Sequence, residues 1–130
     1  MRKIVLITCL AILTIMLSLN SGCKKSDDNF DITDGSWAFY LQSGSDSSSL
    51  VYAFRGTKES GKVYYSNENR GNYTVSGSLV NFTVSHYDVE SLEYFYTYTG
   101  TYSDYYNMTG SFTVRYPNGT IINGTWQAER

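Results

Sequence analysis

The sequence predicts an all-β fold, an eight-stranded antiparallel up-and-down barrel or near-barrel. From Gly35 onward, apolar and polar residues alternate with a period of two, which is typical of strands with one buried face. No stretch of that region repeats its apolar residues every three or four positions over the length of a helix. Turn-forming residues interrupt the alternation at regular intervals, so the strands are expected to follow one another as a meander.

Eight runs carry the alternation, and each contributes one set of side chains to the predicted interior. These inward-facing sets are Trp37, Phe39 and Leu41; Leu50, Tyr52 and Phe54; Val63 and Tyr65; Tyr73 and Val75; Val80, Phe82, Val84 and His86; Tyr94, Tyr96, Tyr98 and Gly100; Met108, Gly110, Phe112, Val114 and Tyr116; and Ile122, Gly124 and Trp126. The predicted connections, rich in Gly, Ser, Asn and Asp, are 43–49, 56–61, 67–71, 77–78, 87–92, 103–105 and 117–119.

Closure of the sheet is favoured over an open sheet. An open sheet exposes two edge strands that can pair with other chains, and a barrel removes both. The interior of an eight-stranded barrel is either filled by side chains or just wide enough for one small ligand. An open β-sandwich of the same strands is the main alternative.

The first 22 residues are similar to a secretory signal peptide. Basic Arg2 and Lys3 precede an apolar run over residues 4–19, and the small residues Ser21 and Gly22 follow it. The apolar run is shorter than the roughly 20 residues that a spanning helix needs, and no stop-transfer pattern follows. A signal helix over residues 1–22 is therefore predicted, with a stable transmembrane helix as the less favoured alternative.

Cys23 directly follows this leader. Residues 19–23 (LNSGC) resemble a bacterial lipobox, in which the chain is cut before the cysteine and the cysteine is acylated, although Asn20 departs from the usual aliphatic residue. The next residues, 24–28 (KKSDD), resemble the export signal of Bacteroidetes-type surface lipoproteins. The resemblance implies a lipid anchor on Cys23 (palmitate among its acyl chains) and a location at the bacterial outer membrane, facing either outward or into the periplasm. Several acyl chains on one residue make such anchoring stable.

The composition of the predicted mature chain excludes several kinds of site. The other cysteine, Cys9, leaves with the leader, so neither a disulfide nor a thiolate metal site is expected. Eight basic and twelve acidic residues remain, a net charge of −4 without a basic patch, which argues against a nucleic-acid partner. Residues 23–34 are predicted to be the lipidated cysteine and a flexible acidic tether, with an edge strand near residues 30–32 as the alternative, and residues 35–130 to be the barrel.

Residues 35–37 (GSW) open the first strand and resemble the Gly-x-Trp of lipocalins and of the wider calycin group, which includes the avidins. In that group the tryptophan closes one end of the barrel, and a basic residue from the last strand stacks over it. The resemblance therefore implies a structural floor of Trp37, Trp126 and Arg130, with Tyr102 and Met108 nearby. The other lipocalin motifs and the biotin contacts of avidins are missing from the sequence, so no particular ligand is implied.

The opposite end is the predicted mouth, where connections 43–49, 67–71, 87–92 and 117–119 converge. The candidate ligand-binding residues there are Leu50, Tyr52, Tyr65, Tyr73, His86, Tyr94, Tyr96 and Tyr116. Tyrosines offer rings for stacking and hydroxyls for hydrogen bonds, which favours a small apolar or aromatic ligand. Tyrosine is also a good strand former, so a filled barrel that docks an envelope protein or inhibits a foreign enzyme is the alternative.

The sequence does not predict an enzyme. His86 is the only histidine, and no nucleophile or orienting carboxylate is expected beside it. Asp88, Glu90 and Glu93 are predicted to be solvated loop charges. One histidine and scattered carboxylates also argue against a metal site, and no cofactor is predicted.

Overall fold

A computed structural model describes residues 29–130; the predicted signal helix, Cys23 and residues 24–28 of the predicted tether lie outside the described residues. One compact unit, Asp31–Arg130, contains the eight strands of the described part. The strands are β1 (Ser36–Ser43), β2 (Asp46–Gly56), β3 (Ser60–Tyr65), β4 (Glu68–Ser76), β5 (Leu79–Tyr87), β6 (Glu93–Asp104), β7 (Asn107–Arg115) and β8 (Ile121–Glu129). No helix within residues 29–130 is long and apolar enough to cross a membrane.

The sheet closes on itself. Each strand pairs antiparallel with the next, and β1 also pairs with β8 from Ala38 to Gln42. The predicted meander barrel is therefore confirmed, and the alternative of an open sandwich is wrong. Closure leaves the first and last strands without the unpaired outer edges that an open sheet would expose.

The predicted alternation sets the direction of the side chains along the strands. In β1, Trp37, Phe39 and Leu41 are buried, whereas the alternate residues Ala38, Tyr40 and Gln42 are half-buried or exposed. The same pattern in β8 buries Trp126 and Ala128. All the predicted inward-facing residues are buried or half-buried, which confirms the predicted direction of each strand's apolar face. Some of them lie at a different height along the barrel than predicted.

Two connections at the mouth end are shorter than predicted. The loop expected over 43–49 is a tight turn at Gly44 and Ser45, because the serines that follow pair with β1 in the register Gln42↔Ser47 and Leu41↔Ser48. Pairing with β1 thus outweighs the turn preference of the serine-rich segment. The turn expected over 67–71 closes instead at residues 66–67, where both residues have positive φ as in the common two-residue hairpins.

The segment 31–34 belongs to the barrel unit, which begins at Asp31, four residues before the predicted boundary. Ile32 is fully buried, and its carbonyl oxygen accepts a hydrogen bond of 2.9 Å from the indole nitrogen of Trp37. The Arg130 guanidinium donates to the carbonyl oxygens of Asp31 and Asp34, each at 2.6 Å. The alternative of an edge strand at 30–32 is wrong, because Ile32 lies in a turn.

Candidate functional site at the barrel mouth

Aromatic side chains fill the interior of the barrel. The ring centroids of Tyr52, Phe82 and Trp126 lie 5.1, 5.5 and 5.1 Å from that of Phe39. Phe82 also stacks on Tyr98 with a centroid distance of 4.4 Å. Edge-to-face and stacked contacts at these distances are those of a packed core. The barrel below the mouth is therefore filled by side chains, the arrangement that the sequence offered as the alternative to a hollow interior.

Six of the eight predicted mouth residues lie at the open end and are half-buried. They are Leu50, Tyr65, His86, Tyr94, Tyr96 and Tyr116. The His86 ring lies between those of Tyr65 and Tyr96, at centroid distances of 4.7 and 5.2 Å. Tyr94 packs against Tyr116 at 5.2 Å. The mouth is thus lined by aromatic rings that already contact one another.

The other two predicted mouth residues lie elsewhere. Tyr52 is fully buried in the centre of the barrel. Tyr73 lies at the closed end, where its ring packs on Phe54 at 5.4 Å and its hydroxyl donates to the carbonyl oxygen of Thr57. The predicted position of Tyr73 along the barrel was wrong because β4 begins at Glu68, inside the segment expected to form the turn. The strand therefore starts earlier and carries Tyr73 down towards the floor.

A chain of hydrogen bonds connects the core to the mouth. The Tyr52 hydroxyl lies 2.8 Å from the Tyr98 hydroxyl and 2.7 Å from Nε2 of His86. A hydroxyl has one hydrogen, so Tyr52 donates to one of these neighbours and accepts from the other. Within the described residues the Tyr98 hydroxyl has no hydrogen-bond partner other than Tyr52. Both hydroxyl hydrogens are therefore used when Tyr98 donates to Tyr52 and Tyr52 donates to Nε2 of His86. A buried hydroxyl without an acceptor costs roughly 1–3 kcal/mol, which favours this direction.

His86 is held neutral by its surroundings. Burial, together with the smaller effect of the nearby Arg70 guanidinium, lowers the pKa of His86 to about 4. Arg70 lies at the rim of the mouth, paired with the Glu68 carboxylate and with its guanidinium 5.1 Å from the ring centroid of Tyr87. The neutral imidazole can then accept the hydrogen bond from Tyr52. Burial likewise raises the pKa of the Tyr52 and Tyr98 hydroxyls, so both stay protonated.

The closed end has the floor that the resemblance to lipocalins implied. The Arg130 guanidinium lies 4.3 Å from the Trp37 ring centroid and 3.9 Å from that of Tyr105. Trp126 and Met108 are also buried. The predicted stacking of Arg130 over Trp37 is confirmed; such a cation–π contact is worth about 0.5–2 kcal/mol.

A cavity of about 180 Å³, here called the mouth cup, opens beside the tyrosines. Its base is formed by buried apolar residues, Leu41 at 4%, Phe112 at 5% and Val114 at 3% exposure. Its walls and rim come from Ser43, Asp46, Ser47, Ser48, Tyr96, Tyr116 and Ile122. The contribution of β1 and β2 to this cavity was not predicted, because residues 43–49 were expected to form a loop rather than a hairpin beside the mouth.

The connection between β5 and β6, residues 88–92, is here called the rim loop. The Asp88 carboxylate accepts hydrogen bonds from the amides of Glu90 and Leu92 and from the Tyr94 hydroxyl. The Asp88 amide in turn donates to the carbonyl oxygen of Leu92. Asp88 was predicted to be a solvated charge, and it instead fixes the loop. Val89 at the loop tip is fully exposed, and Leu92 is 44% exposed.

Among residues 29–130 no group of three or more His, Cys, Asp or Glu side chains could hold a metal ion. No family model matches the chain, and neither a curated protein nor a solved structure matches it. The resemblance to lipocalins is therefore carried by the glycine–tryptophan start of β1, by Arg130 and by the strand count.

Proposed function

We propose that this chain is a membrane-anchored lipoprotein whose lipocalin-like barrel docks another envelope protein through its mouth end. The packed interior is the observation that carries the proposal. Rings at 4.4–5.5 Å from one another occupy the space that a carrier would keep for its ligand. Small-molecule sites usually offer about 300–1,000 Å³, and the mouth cup offers about 180 Å³. A partner molecule is therefore expected to bind at the outer surface of the barrel.

The mouth end is the face of the barrel best suited to recognition. Four of the eight exposed large hydrophobic or aromatic side chains within the described residues lie at this rim: Tyr87, Val89, Leu92 and Ile121. An exposed apolar group on a fixed loop loses little conformational entropy on binding, which favours association. Glu90 on the same loop and Glu93 next to it add negative charge, so the expected partner surface is an apolar pocket with basic residues around it.

The position of the predicted anchor also favours the mouth end as the docking face. Eight residue steps separate Cys23 from Asp31, and such a segment spans at most about 28 Å when fully extended. Asp31 is held at the closed end by Arg130. A lipid anchor on Cys23 would therefore bring the closed end to the membrane and leave the mouth directed away from it.

A small apolar or aromatic ligand remains the second candidate, and the mouth cup is what favours it. The packed interior keeps such a ligand out of the barrel itself. A cavity of about 150 Å³ is known to hold benzene, so the cup has room for about one ring.

Site-specific photo-crosslinking in intact cells tests the docking proposal. A benzophenone amino acid replaces Val89 at the mouth in one variant and Leu79, 42% exposed at the opposite end, in a matched control. The expected result is one protein adduct at position 89 and none at position 79. Added wild-type protein should suppress the adduct, whereas protein with Val89→Asp and Leu92→Asp should not. No adduct at position 89, or the same adducts at both positions, would count against docking through the mouth.

A further inference from the structure

We infer that the mouth cup receives a single phenol ring, the side chain of a tyrosine on the docked protein. This inference rests on the docking function proposed above and names the group that the partner inserts. The size of the cup, the chemistry of its lining and its connection to the rim loop each support it.

The cup has room for one ring. Its volume of about 180 Å³ slightly exceeds the 150 Å³ of a cavity that holds benzene. An aliphatic side chain would leave part of the aromatic wall without contacts. The cup is also smaller than the roughly 300 Å³ at which sites for free small molecules begin. A ring that belongs to a docked protein binds with the help of the protein's other contacts, so its affinity does not depend on the cup alone.

The lining of the cup matches a ring with a polar end. Leu41, Phe112 and Val114 form an apolar base, and the Tyr96 ring lies 6.0 Å from that of Phe112. At the rim, Asp46 adds a carboxylate and Ser48 a hydroxyl. A carboxylate only accepts hydrogen bonds, so an inserted group with an O–H at its outer end is favoured over a plain hydrocarbon ring. Tyrosine is the side chain that combines both features.

The cup and the rim loop form one continuous surface. Tyr116 lines the cup and packs against Tyr94 with a centroid distance of 5.2 Å. The Tyr94 hydroxyl donates to the Asp88 carboxylate, which holds the rim loop. A protein that contacts Val89 therefore also covers the mouth, where one of its side chains can enter the cup.

Methyl NMR of the full lipidated chain in lipid nanodiscs tests the occupancy of the cup. N-acetyltyrosinamide is the probe; the alanine and phenylalanine analogues serve as controls that lack the ring or only its hydroxyl. The tyrosine probe should bind with a Kd on the order of 1 mM and shift the methyl signals of Leu41, Val114 and Ile122. It should leave those of the exposed Val51 and Val89 unchanged. The two control probes should bind at least about tenfold more weakly.

A pair of neighbouring substitutions provides the matched control. Ser48→Phe places a ring in the cup, whereas Ser49, the adjacent residue, faces outward, and Ser49→Phe leaves the cup open. The first variant should weaken the tyrosine probe at least about tenfold, and the second should leave its Kd unchanged. Both residues are exposed, so neither change disturbs the core. An absence of methyl shifts, or equal binding by both variants, would overturn the inference.

The same two variants identify the source of the ring. With the crosslinker at position 89, Ser48→Phe should reduce the protein adduct at least about tenfold, and Ser49→Phe should not. If the probe binds the cup but the adduct survives Ser48→Phe, the partner does not insert a ring there and the inference is wrong. If no adduct forms in the parent protein, the docking proposal itself fails, while the NMR result still reports on the cup.

Discussion

Trp37 is the residue on which the closed end of the barrel depends. It is fully buried, donates its indole hydrogen to the Ile32 carbonyl oxygen, and lies under the Arg130 guanidinium. Removing its ring would leave a cavity and deprive both neighbours of their contact.

Trp37→Ala is expected to lower the free energy of unfolding by about 3–5 kcal/mol, the usual cost of truncating a buried aromatic residue. Val51→Ala, at a side chain that is 53% exposed, is the control and should change it by less than about 1 kcal/mol. Chemical denaturation measures both values. A neutral Trp37→Ala would mean that this tryptophan does not close the barrel.

His86 should make the stability of the barrel sensitive to mild acid. Its pKa is lowered to about 4 in the folded chain from an ordinary value of 6.5, so the unfolded chain binds more protons between these two pH values. Stability is therefore fully present above pH 6.5 and declines as the pH falls towards 4.

The measurement is the free energy of unfolding at pH 7 and at pH 4.5, for the wild type and for His86→Gln. The glutamine does not titrate, and its amide oxygen can accept a hydrogen bond. Carboxylates titrate in both proteins, so the difference between the two isolates His86. The wild type should lose more stability than the variant, and equal losses would show that His86 is not held neutral by the fold.

At the scale of elements, two facing glycines shape the floor. Gly100 in β6 pairs with Gly110 in β7, and Gly110 pairs with Trp126 in β8. A Cβ atom on Gly100 would lie 2.2 Å from the Thr109 carbonyl oxygen and 2.5 Å from the Trp126 ring. The missing side chain of Gly100 provides space in which Trp126 packs, and that of Gly110 lets the backbone of Gly100 approach closely.

Gly100→Ala should therefore destabilise the barrel by about 1–3 kcal/mol, the usual cost of overpacking a core. Thr99→Ala, on the exposed neighbour in the same strand, should cost no more than about 1 kcal/mol. Thermal or chemical denaturation distinguishes them. An equal effect of the two changes would contradict the close approach of Trp126 to β6.

The Asp88 side chain holds two backbone amides of the rim loop. Asp88→Ala removes the acceptor for the amides of Glu90 and Leu92, so those two amides should exchange their hydrogens faster. Asp88→Asn keeps one side-chain oxygen and should preserve most of the protection. Global stability should change little, because the loop is exposed. Unchanged exchange in Asp88→Ala would show that the loop is held by other contacts.

The sequence predicted the strands better than it predicted the site. Period-two alternation determines which face of a strand is buried, and every inward set followed from it. Height along the barrel depends on where each turn closes, and that depends on cross-strand register, which alternation does not encode. For this reason Tyr73 was predicted at the mouth and lies at the floor. The mouth cup was missed because it needs the β1–β2 hairpin, whose serine-rich sequence resembles a loop.

At the scale of the whole molecule, the two ends of the barrel have different roles. Trp37, Arg130 and the segment 31–34 close the end from which the predicted anchor departs. The other end carries the mouth cup and the rim loop. Between them the packed rings act as a rigid scaffold, so we expect a group bound at the mouth to stay outside the barrel and, with the predicted anchor, to face away from the membrane.

Native mass spectrometry of the protein extracted from the cells that produce it is the most direct test of a filled, lipid-anchored barrel. The expected mass is that of a chain beginning at an acylated Cys23, without a small molecule held in the barrel. An unmodified Cys23, or a chain beginning upstream of it, would contradict the anchor. A small molecule retained one to one and released on unfolding would contradict the packed interior and return the protein to the class of carriers.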